Sequence, residues 1–162
     1  MYSINSYLAE KLENVVNGDP WYGTAVTKIL DQVSELSIHN RPDNAHSVAE
    51  ILLHMVAWTE EVNERLQGGK VKVPSRGDWP DPAGIEWMVL KDLFSKIHYE
   101  LKEQILNFPK EKWEDYVDEE RIPALGSGTS FKETVEGLIH HHIYHIGQIA
   151  ILNKQFSSKE VL

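Results

Sequence analysis

His141 and His145 stand four residues apart near the end of the chain. That spacing puts both imidazoles on one face of a helix, where they can chelate a single divalent ion. Gln148 shares their stripe, together with Leu138 and Leu152, and is placed to orient a ligand or to cap a polar cluster. A third imidazole comes from His54, which interrupts the apolar run Ile51-Leu52-Leu53-His54-Met55-Val56-Ala57-Trp58. Three neutral imidazoles leave coordination positions open to water or substrate, as a reactive ion requires. Trp58 lies one turn from His54 and could line a pocket. Glu61 and Arg65 follow near the same face, and Glu61 is the best candidate carboxylate for a general base.

Plainer readings stand beside these. Two histidines four apart also serve a solvated face or a core hydrogen bond, and a lone histidine in an apolar run can be a satisfied core residue. His39, His46 and His98 fall in or near loops or on polar faces and read as surface residues; His140 and His142 could be solvated. Trp21, Trp58, Trp79, Trp87 and Trp113 read as core and loop anchors. Glu60-Glu61 and Asp118-Glu119-Glu120 read as solvated faces.

The elements that must position these groups are helices. Residues 3–17 carry Ile4, Leu8, Leu12 and Val15 at helical spacing and stop at Asn17-Gly18-Asp19-Pro20. Pro20 suits the first turn of a second helix with Ala25, Val26, Ile29, Leu30 and Val33 as its stripe. Ser47 and Glu50 have capping-box spacing and open a long helix that ends at Gly68-Gly69. After the proline-rich loop 70–82, a helix from about Ala83 to Asn107 should bury Ile85, Met88, Val89, Leu93, Ile97, Leu101 and Ile105. Pro109 closes it. Trp113, Tyr116 and Val117 anchor the mixed stretch 109–129, and Ser130 with Glu133 opens a last helix to about Lys154. Only Val71–Val73 alternates, too short for a sheet. The expected fold is an all-α bundle with long crossing loops.

At 162 residues the chain should form one domain, residues 1–162. Lys and Arg total 16 against 25 Asp and Glu, a net charge of −9. That balance argues against a nucleic-acid or anionic-membrane partner, since both rely on basic patches. With no cysteine, disulfides, thiolate nucleophiles and cysteine-ligated metals are excluded. No signal peptide and no run approaching a membrane span are visible, so a cytoplasmic location is expected.

His46-Ser47-Val48-Ala49-Glu50-Ile51-Leu52-Leu53-His54, then Asp78-Trp79-Pro80, then His141-His142-Ile143-Tyr144-His145-Ile146-Gly147-Gln148 occur in an order that resembles the DinB/YfiT-like superfamily of metal-dependent enzymes. The resemblance runs from about Pro20 to Lys154. It implies a four-helix bundle, often a homodimer, that binds nickel or zinc through three histidines; by position these are His54, His141 and His145. It also implies a small-molecule substrate and a low-molecular-weight thiol activated by the metal, as in the thiol-dependent S-transferases and a mycothiol-dependent isomerase of the wider superfamily. Two departures bear on this. Ile146 stands where many relatives place Arg, so a basic group for an acidic thiol is missing there. The eight residues after Lys154 leave no room for the extra domain of the isomerase branch, which disfavours that activity. An S-transferase is the leading expectation. A metal-dependent hydrolase and a non-catalytic, stress-associated metal-binding bundle are the alternatives. Any of them should lose metal as pH falls below the ordinary histidine pKa of about 6.5, or lower if binding is tight.

Overall fold

In a computed structural model of the chain, residues 3–117, 122 and 125–157 are described. Five α-helices occur among them, and no strand. Four are long: α1 (Ile4–Val16), α3 (Val48–Leu66), α4 (Trp87–Asn107) and α5 (Phe131–Ser157); α2 (Val26–Leu30) is a single turn and a half. Helix α3 packs on α4 and α5, and α1 packs on the same two, so the four long helices close a ring around one core. Apolar positions at three- and four-residue spacing bury Leu8, Leu12, Leu52, Met55, Leu90, Phe94, Leu101 and Ile149 almost completely. No helix among the described residues is long and apolar enough to cross a membrane.

The ends of α3 and α5, which carry the imidazoles, are set by local chemistry. Ser47 accepts a hydrogen bond from the Glu50 amide while the Glu50 carboxylate accepts from the Ser47 amide. Ser130 and Glu133 repeat the same exchange ahead of α5. Helix α3 stops in a Schellman turn: the Gly68 amide bonds to the Arg65 carbonyl and the Gly69 amide to the Glu64 carbonyl, both at 2.9 Å. Gly68 sits at φ +90°, where a side chain would be strained.

Several expected elements differ. The helix proposed from Pro20 is instead a turn, closed by the Gly23 amide on the Pro20 carbonyl, followed by the short α2. Gly23 and the β-branched residues beyond it give a helix too little to propagate on, although Ala25, Val26, Leu30 and Val33 are buried as their spacing requires. Helix α4 begins at Trp87 rather than Ala83, because Gly84 adopts φ +78°. Its buried stripe is then Trp87, Leu90, Phe94, Ile97, His98, Leu101 and Ile105, which leaves Met88 and Val89 more than half exposed. Trp113 is buried and donates to Asn5 Oδ1 at 2.9 Å, whereas Tyr116 is exposed and Val117 half-buried. Trp21 is 94% exposed and stands edge-on to Tyr22 rather than in the core. Asp118-Glu119-Glu120 lies outside the described residues.

Candidate metal centre

Helix α3 brings His54 and helix α5 brings His141 and His145 to one point inside the bundle. One ligand atom from each lies within 4.8 Å of the others. His54 and His145 are buried, and His141 is half-buried. The chemistry turns on which nitrogen carries the proton. His54 Nδ1 lies 2.5 Å from the Asp78 carbonyl oxygen. A carbonyl can only accept, so Nδ1 holds the hydrogen and Nε2 keeps its lone pair. His145 Nδ1 donates likewise to Gln148 Oε1 at 2.7 Å. Both rings therefore turn lone pairs inward, as metal-ligating histidines do when their other nitrogen is held by an oxygen.

His141 differs. Its Nε2 sits 2.9 Å from His54 Nε2, and its buried Nδ1 has no hydrogen-bond partner among the described residues. Two imidazole nitrogens that close share a proton or a cation. A divalent ion between them would let the His141 proton move to Nδ1 and leave three lone pairs converging. The donor set thus fits a divalent ion.

Burial also keeps the rings neutral. It lowers His141 to about 3, with the neighbouring His145 and His54 adding repulsion. Burial likewise lowers His145 to about 4 against the opposing Gln148 bond, and lowers His54 against its bonds to Asp78. Proton competition for the metal ligands accordingly begins below the pH 6.5 expected of free histidines.

The loop between α3 and α4 closes over the centre. Trp79 lies flat against His54 at 3.9 Å between ring centroids and against His46 at 3.6 Å. The Asp78 carboxylate accepts from Trp58 Nε1 at 2.8 Å. Trp58 stands edge-on to both His54 and His141. A cavity of about 410 Å³ opens on His54 and His141, and another of about 490 Å³ reaches His145 past Trp79 and His46.

A family model, that of the DinB superfamily, matches residues 23–149, a span holding all three histidines and the loop that covers them. The chain belongs to the DinB superfamily. No curated protein and no solved structure matches it.

Among the other residues singled out in this DinB-superfamily chain, the structure gathers Gln148 and Trp58 at the centre but not Glu61. Glu61 is buried rather than solvated, its Oε2 2.5 Å from Arg65 Nε and its Oε1 accepting from the Lys72 amide. Two histidines read as surface or solvated are core residues. His98 and His142 are fully packed, with their Nε2 atoms 2.6 Å apart and Thr59 Oγ1 within 3.3 Å of both. His98 Nδ1 donates to the Phe94 carbonyl, so its Nε2 accepts from His142 Nε2. His46 is half-buried under Trp79, while His39 and His140 are exposed. Sequence reasoning missed the part played by the Asp78 carbonyl and by the ring of Trp79. A main-chain oxygen leaves no mark in residue type, although a Trp inside a proline-rich loop did.

Two expected outcomes follow from this arrangement. Gln148→Leu removes the oxygen that fixes the His145 tautomer, and metal affinity measured by chelator competition should fall by roughly 10–100-fold; Gln148→Glu should retain it. Burial lowers His98 to about 4, so the unfolded chain takes up a proton between pH 6.5 and 4 that the folded chain refuses. The stability due to this neutral histidine is complete above pH 6.5 and is lost as pH falls, by about 3 kcal/mol at pH 4. Urea midpoints of metal-free protein should drop steeply over that range, and a flat profile would contradict the buried neutral pair.

Proposed function

We propose that the protein is a metal-dependent enzyme, most simply a thiol-dependent S-transferase, working in the cytoplasm as a homodimer on a small electrophilic substrate. The convergence of three imidazoles, two of them locked with Nε2 inward by Asp78 and Gln148, carries this reading. Nickel or zinc suits an all-imidazole site. Such an ion lowers the pKa of a coordinated thiol or water and so supplies a nucleophile at neutral pH.

The chain's own residues do the rest. His54, His141 and His145 would hold the ion, and with no cysteine in the sequence the sulfur must come from a second substrate. Trp79 and Trp58 shield the imidazoles from bulk water. Glu61, spent on Arg65 and the Lys72 amide, is not free to act as a general base. That loss favours transfer over hydrolysis, since a thiolate needs no base once formed. The hydrolase alternative would fall to Asp78, the carboxylate nearest His54.

Untagged protein loaded with cobalt reports on the question directly. On addition of 2-mercaptoethanol, a sulfur-to-cobalt charge-transfer band should appear in the near ultraviolet, showing an exchangeable position open to thiols. An unchanged spectrum with metal retained would instead support a non-catalytic metal-binding bundle.

A further inference from the structure

What the cavity beside His54 and His141 would accept can be read from its walls. Trp58, Val62, Leu125 and Leu138 make most of its surface apolar. Among the described residues that line it, Arg65 is the one cation, and its charge is spent. Its Nε lies against Glu61 Oε2, and its two terminal nitrogens donate to the Leu125 carbonyl at 2.7 Å and the Gly126 carbonyl at 3.5 Å. The two hydroxyls in the wall have no hydrogen to offer either: they lie 3.1 Å from each other, with the Gly126 carbonyl within reach of Thr129 and the Ser130 carbonyl within reach of Thr134. Two carboxylates, Asp78 and Glu133, complete the lining. In the metal-free protein an anionic ligand would therefore be desolvated against spent donors and like charge, with nothing among the described lining residues to repay it. A cationic one would find both carboxylates already engaged, Asp78 by Trp58 Nε1 and Glu133 by the Ser130 amide.

We propose that this cavity is a binding site for an uncharged, largely apolar small molecule and that it rejects carboxylates. The hydroxyl lone pairs of Thr129 and Thr134 are left to accept from an alcohol or amide hydrogen on that molecule. Calling the molecule a substrate rests on the metal-dependent reading above; its binding does not. One wall position makes the site testable. A Cβ added at Gly137 on α5 meets nothing within 4 Å, so a side chain there would grow into the cavity rather than into the core. Leucine is also the better helix former, so Gly137→Leu fills the space without unfolding α5.

The experiment is calorimetric titration of the full chain, freed of metal by chelator, with 4-phenylbutan-1-ol and with 4-phenylbutanoate at a pH of about 7.5. The alcohol should bind at least tenfold more tightly than the carboxylate of the same length, and Gly137→Leu should weaken the alcohol by at least tenfold while circular dichroism shows the fold intact. Equal or tighter binding of the carboxylate, no binding of the alcohol, or indifference to Gly137→Leu would each overturn the proposal. Zinc uptake by the same sample is a separate readout. Its failure would remove the metal reading and leave the cavity's selectivity as measured.

Discussion

His141→Ala is expected to strip the protein of its metal. Elemental analysis of untagged protein should find near-stoichiometric nickel or zinc in the wild type and almost none in the variant, with His54→Ala and His145→Ala behaving alike. Loss of one of three ligand nitrogens must exceed the roughly 10–100-fold cost of losing a supporting residue, because no other imidazole among the described residues can move in. His142 is locked against His98 and Thr59, and His46 is stacked flat on Trp79. The fold should survive, since His141 is only half-buried and alanine is the best helix former. The proper control is His140→Ala, one residue away and exposed, which should keep its metal. His98→Ala would also keep it, but hollows the core and so confuses metal loss with instability. Equal metal content in the His140 and His141 variants would sink the assignment.

The spacing of His141, His145 and Gln148 was readable because a helix turns it into geometry: four residues apart is one face, and seven is nearly the same face again. His54 was readable because an imidazole in an apolar run must be satisfied somehow. Pairings across the chain were not readable. His98 and His142 are 44 residues apart, and their contact depends on how α4 rolls against its neighbours. Met88 and Val89 stand about 160° and 100° round the helix from Leu90, so they face outward once Leu90, Phe94 and Leu101 turn into the core. The Asp78 carbonyl belongs to the same class: a long loop must fold back on α3 before any of its oxygens can reach His54. Glu61 and Arg65, by contrast, carried a signal that was passed over. An acid and a base four apart on the face that holds His54 are a local pair in any register of the fold.

That pair should dominate the stability of the site. Arg65→Met is expected to destabilise the protein by about 3–5 kcal/mol, read from urea unfolding at pH 7, because it leaves Glu61 charged and only 1% exposed. It also releases the carbonyls of Leu125 and Gly126, which Arg65 holds against α3. The double variant Glu61→Leu, Arg65→Met should recover most of the loss, since an apolar pair costs no desolvation. Breaking the Glu60–Arg76 pair one position along should cost less than about 1 kcal/mol, because water already solvates both partners. If Arg65→Met and Arg76→Ala proved equally mild, the buried pair would not hold the loop, and the cavity wall it forms would be free to open. Were the double variant as unstable as the single, the loop contacts rather than the ion pair would carry the energy. Either way the measurement locates what holds the cavity wall beside His54 and His141, and with it what the centre can admit.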